Sequence, residues 1–188
     1  MLQYKLFKLH SDNRENTLAK IKGIFGDDNI WVINEKIIAI FYDYGINDYK
    51  YVLKQTIQLN ISQLIVNSNI ILSFMEHVIE SNSFITELSF AKTIAPEDNE
   101  LINKSIRLMN IEKDIEKKKA LKKSLFTELM WLTTDGCIDI NYIETEIKCD
   151  QEKKFIKVKL YNNGVIILQN MKVKNELTYI FKQMKDEM

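Results

Sequence analysis

Residues 111–132 read IEKDIEKKKALKKSLFTELMWL, and six lysines fall between Lys113 and Lys123. How this stretch is built decides the architecture. Upstream, the single proline, Pro96, stands before Glu97 and Asp98, and proline in a first turn followed by acids marks a helix start. From there to Leu132 there is no Gly or Pro, and Asp135-Gly136 ends the pattern. A continuous helix over 96–132 would have ~36 residues and span ~54 Å at 1.5 Å per residue. That exceeds the width of a small domain, so the segment must project, bridge two bodies or fold back.

At about 100° per residue, Leu101, Leu108, Ile111 and Ile115 form one apolar stripe. A second stripe, Leu125, Phe126, Leu129 and Met130, is rotated from it by roughly a quarter turn. Between them the lane is held by Lys118, Lys119 and Lys122, and burying unpaired ammonium groups is costly. The stretch therefore reads as a wet connector, supported by Asp114–Lys118 and Glu116–Lys119 pairs.

On the N-terminal side, LQYKLFKL (2–9) reads as a strand, and Asp12 or Asn13 can cap a helix running to Phe25. NIWVIN (29–34) and KIIAIFYDY (36–44) look like a hairpin. Asn47 or Asp48 starts a further helix, and QLIVN (63–67) is a short apolar strand. This βαββαβ order is one that ferredoxin-like two-layer sandwiches follow. An extra helix over 69–81, spaced by Ile71, Phe74, Met75, Val78 and Ile79, and a strand at 83–91 come next.

On the C-terminal side, strands at 137–149 and 154–161 are followed by Asn163-Gly164, a type I′ hairpin signal. VIILQN (165–170) and an amphipathic helix from Asn175 to Asp186 then complete a β-meander with a terminal helix. The fold class is α+β, with two small sheets joined through the helical segment. The corresponding division is an N-terminal α/β sandwich at 1–95, a charged connector at 96–134 and a β-meander plus helix at 135–188.

Composition narrows the function classes. The chain has 188 residues, 46% of them apolar, which is ample for a sizeable core. No apolar run reaches the ~18 residues of a membrane span, and MLQYKLFKLHSDN is too polar for a signal-peptide core. The expectation is a soluble cytoplasmic protein. Net charge is zero, with residues 1–100 carrying nine Lys/Arg against thirteen Asp/Glu and residues 101–188 carrying seventeen against thirteen. Only Arg14 and Arg107 are arginine. Lysine offers a point charge where arginine offers a bidentate fork, which weakens sequence-specific nucleic-acid reading. The Ile, Asn and Lys usage is that of an AT-rich coding genome, as in a low-GC bacterium or its phage.

Few motifs carry chemistry. The five glycines form neither GxGxxG nor GxxxxGK[ST], so the common phosphate cradles are missing. Cys137 and Cys149 with His10 and His77 include no close ligand pair of the kind zinc sites use. His77-x-x-Glu80 has the spacing of a helical metal pair but lacks a second such pair, and reads as a polar face. Asp139 with Glu146-Ile147-Lys148 has the local spelling of a divalent-metal nuclease, although all three fall in one expected strand. No cofactor is called for. Tyr42, Tyr44 and Tyr49, in FYDYGINDYKY (41–51), form a candidate contact surface. Lys117, Lys118, Lys119, Lys122 and Lys123 form another, facing solvent, nucleic-acid phosphates or an acidic protein surface. The reading is a non-enzymatic interaction or assembly protein that presents a charged helix to a protein partner or a second copy. A nucleic-acid-binding module and a metal nuclease are the alternatives.

Overall fold

A computed structural model describes residues 1–10, 14–43, 45 and 48–184. Its order is β1 (Leu2–Leu9), α1 (Arg14–Phe25), β2 (Ile30–Val32), β3 (Ile37–Tyr42), α2 (Tyr49–Thr56), β4 (Ile61–Gln63), α3 (Ser68–Glu80) and β5 (Phe84–Phe90). Then come α4 (Pro96–Ile111), α5 (Ile115–Thr134), β6 (Ile140–Cys149), β7 (Lys154–Tyr161), β8 (Val165–Leu168) and α6 (Lys174–Gln183). The expected helix caps at Asp12 and Asn13 lie outside the described residues. Asp48 and Asn67 do cap α2 and α3, accepting the Tyr51 and Ile70 N–H groups.

The mixed α and β class is as the periodicities indicate, but the two small sheets are one. Eight strands share a sheet in the order β2-β3-β1-β8-β7-β6-β5, with β4 also on β1. Every pairing is antiparallel. Strand β1 joins the halves. One edge pairs with β3 over Gln3–Lys8. The other is shared by β8 over Leu2–Lys5 and by β4 over Phe7–Leu9. The expected strand 63–67 is thus shifted: ladder pairing occupies Ile61–Gln63, and Leu64 adds one further bond to β1 by donating to Leu6 O at 3.0 Å.

At that changeover Leu6 N–H bonds Gly164 O at 2.8 Å. Gly164 has φ 76°, in the left-handed region, and a Cβ there would stand 2.1 Å from Leu64 O. Only glycine fits both demands. The β7–β8 turn is closed by Gly164 N–H to Tyr161 O at 2.9 Å. Positive φ occurs at Gly164 but not at Asn162 or Asn163, so the turn is not the type I′ that Asn163-Gly164 suggests, which needs positive φ at both central residues.

The alternation of side chains divides the sheet into two faces. Tyr4, Leu6, Ile143, Ile147, Ile156, Val158 and Ile166 pack with α3, α4, α5 and α6 in the larger core. Phe7, Ile38, Ile40, Tyr42 and Val165 pack with Ile21 and Phe25 of α1 and Val52 of α2 in a smaller one. On that second face the described β6–β7 side chains are half-buried or exposed, leaving an open sheet face among the described residues.

The helix expected over 96–132 is two. α4 ends at Ile111 because Glu112 turns extended, and its carboxylate accepts the Lys113 and Asp114 N–H groups, each at 2.9 Å. Asp114 then caps α5 by accepting the Lys117 N–H at 2.9 Å. Its carboxylate is therefore spent on the backbone rather than on Lys118, whereas Glu116 does pair with Lys119 at 2.9 Å. The two helices contact one another and both enter the larger core. Their buried faces differ from the expected stripes. In α4 the core takes Ile102, Ile106 and Met109 and leaves Leu101, Leu108 and Ile111 outward; in α5 it takes Leu125, Leu129 and Leu132.

Candidate functional site

The lysine run is less uniform than its sequence. Lys122, in α5, lies partly buried between two carboxylates of α3, 2.7 Å from Glu76 and 3.1 Å from Glu80. Burial pulls its ammonium down, but the two carboxylates outweigh this and hold it above its ordinary value. Glu80 is the mirror case: burial pushes its carboxyl up, while Lys122 and His77 outweigh that and hold it below the usual range. The His77–Glu80 pair, at 3.3 Å, is part of this α3–α5 tie. Lys118 is half-buried and lines an open cleft of about 560 Å³ with Glu80, Asn82, Lys113 and Ile115. Lys117, Lys119 and Lys123 are exposed. Of the five lysines, Lys122 is a structural cross-link, Lys117, Lys118 and Lys119 stand in the first turns of α5 beside the α4–α5 connection, and Lys123 is exposed further along the helix.

Around that connection the apolar side chains are uncovered. Ile111 and Ile115, on either side of it, are 72% and 70% exposed, and Leu101 and Leu108 are exposed as well. Leu101, Lys104, Leu108 and Ile111 follow one another at three- and four-residue intervals, so they lie on one face of α4.

The tyrosine candidates divide. Tyr42 is buried in the smaller core, with its ring centroid 5.4 Å from that of Tyr49. It is a packing residue, because β3 points it under α2. Tyr49 is half-buried and donates its hydroxyl to Gln63 at 3.0 Å, and burial pushes its phenol up. Tyr44 lies outside the described residues.

The acidic candidates are separated. Glu146 and Lys148 project from β6 onto the open sheet face, Lys148 lying 3.7 Å from Asp150. Asp139 precedes β6 and accepts from Ser68 at the start of α3. Seven residues of extended chain put it about 20 Å from Glu146, so the three do not form one site. Among the described residues no group of three or more His, Cys, Asp or Glu is placed to hold a metal ion.

The open face carries a different network. Lys159 stands 3.7 Å from the Tyr142 ring centroid and bridges Glu87 and Glu144 at 3.9 and 3.7 Å. Tyr142 donates to Glu87 at 2.6 Å, which, with burial, raises its phenol. Pattern reading missed this cluster because its members come from three strands. It also missed the partner of His10, whose Nε2 lies 2.6 Å from Ser62 Oγ at the surface.

Set against protein-family models, curated proteins and solved structures, the chain matches none. No described helix is long and apolar enough to cross a membrane.

Proposed function

We propose that the protein is a non-enzymatic protein-binding or assembly protein, and that the α4–α5 pair is its binding element. The observation that carries this reading is the exposed stripe Leu101, Leu108 and Ile111, continued by Ile115. Contiguous exposed apolar side chains at helical spacing mark interaction surfaces. The three- and four-residue alternation is that of a seam onto which another helix packs. Lys104 lies within it, and Arg107, Lys113 and Lys117 are its cationic neighbours in the sequence. The fitting partner is an amphipathic helix with carboxylates beside its apolar side, since complementary charge sets register and steers association.

Co-purification with the wild-type chain and with Leu108→Glu/Ile111→Glu tests this. A discrete protein should accompany the wild type and be lost from the variant. A basic surface serving nucleic acid would instead give binding in fluorescence anisotropy that weakens steeply with salt and survives both substitutions. That result would overturn the proposal.

A further inference from the structure

A second cleft lies away from α4 and α5, between the end of β6, the end of α3 and the start of α6. It has a volume of about 340 Å³. Ile147 and Ile180, both buried, form an apolar floor, and the exposed Tyr179 ring stands at its side. The polar lining is Ser81, Lys148, Asp150, Asn175 and Glu176. α6 is fixed in place beneath it: Thr178 accepts from Trp31 Nε1 at 2.9 Å, and Phe181 stacks on Phe74 at 5.6 Å.

Glu176 carries the unpartnered buried atom of this lining. Its Oε1 accepts the Asp150 N–H at 3.3 Å. Its Oε2 is closed off from solvent and has no hydrogen-bond partner among the described residues. A buried carboxylate oxygen without a donor is costly, and buried polar groups normally find one. Glu176 itself lines the cleft, and the last torsion of a glutamate is broad. Two carboxylates belong to the lining, Glu176 and Asp150, and Asp150 has Lys148 Nζ 3.7 Å away. One negative charge is left over.

We propose that this cleft binds a single organic cation, a primary ammonium or guanidinium group on an alkyl stem. The cation donates to Glu176 Oε2, the stem lies on Ile147 and Ile180, and the Tyr179 ring contributes a cation–π face. The chemistry is common to a free polyamine and to a lysine or arginine side chain of another protein.

Amide NMR titration of the full chain distinguishes the cases. The probes are spermidine, capped tripeptides with central lysine or arginine, and 1-butanol as a neutral control. Saturable shifts are expected at Ser81, Asp150 and Glu176, with dissociation constants of about 1 mM or below. Glu176→Gln should weaken binding about tenfold while leaving the rest of the spectrum in place. Tyr179→Ala, at an exposed position, should weaken it less, and serves if the glutamine variant does not fold. Stronger binding of spermidine assigns the site to a free amine, and stronger binding of a tripeptide assigns it to a side chain. No saturable shift with any cation, equal shifts with butanol, or undiminished binding by both variants would overturn the proposal.

Discussion

Asp114 accepts the Lys117 N–H at 2.9 Å, and this contact separates α4 from α5. Without it the first turn of α5 has an unpaired donor where the chain changes direction. Replacing an N-cap aspartate by alanine costs about 1 kcal/mol. Asp114→Ala should lower the urea-denaturation stability by about that amount. An unchanged midpoint would mean that the connection is held by packing alone.

The tie from Lys122 to Glu76 and Glu80 predicts a pH window. Glu80 is held below its ordinary value, so its contribution is present above the unfolded-state value and is lost as pH falls through the folded one. Lys122 is held above its ordinary 10.5, so its contribution is full below that value and is lost as pH rises through the folded one. A double-mutant cycle on Glu80→Gln and Lys122→Met should give a coupling of about 0.5–1 kcal/mol near neutral pH, because the pair is partly exposed. The coupling should vanish in acid. A coupling that persists there would assign the contact to packing rather than charge.

Lys5 provides a test of opposite sign. It is fully buried at the centre of the sheet, where it donates to the Asn163 carbonyl. Burial lowers its ammonium from 10.5 to about 8. The folded state thus binds fewer protons than the unfolded one between these values, and stability rises with pH there. From about pH 7.5 to about pH 9.5 the wild type should gain about 2 kcal/mol relative to Lys5→Met. Parallel denaturation profiles for the two proteins would show that Lys5 stays charged in the fold.

Gly164 tests the joint between the two halves of the sheet. A methyl group there meets Leu64 O at 2.1 Å on a backbone of positive φ. Gly164→Ala should cost at least about 2 kcal/mol, the range of substitutions that combine backbone strain with a clash. A loss of a few tenths would mean that the Leu64 segment moves freely away from β1.

These sites show how far the sequence carries the structure. Asp48, Asn67 and Pro96 are local signals, and the helices they open begin at or beside them. The break at Glu112 is also a local event, but it is made by two carboxylates folding onto the backbone rather than by Gly or Pro. An Asp among good helix formers does not announce itself as a cap. The single sheet rests on β1 pairing with β8, a contact across most of the chain that no periodicity encodes. The burial of Lys5 and Tyr42 is likewise not a local property. A strand that alternates apolar and polar residues reads as half-exposed, and only the helices covering its second face bury them. For α4 the expected stripe is Leu101, Leu108 and Ile111, whereas the core takes Ile102, Ile106 and Met109, because that face is the one turned to β5.

The stripe that is left outward carries the central claim, and photo-crosslinking from position 104, between Leu101 and Leu108, tests it most directly. With a photoreactive residue there, the chain should form one discrete protein adduct in its source cell. Leu108→Glu/Ile111→Glu should abolish the adduct while leaving the denaturation midpoint unchanged, since both side chains face solvent. Absence of an adduct, or an adduct indifferent to the two substitutions, would contradict the account.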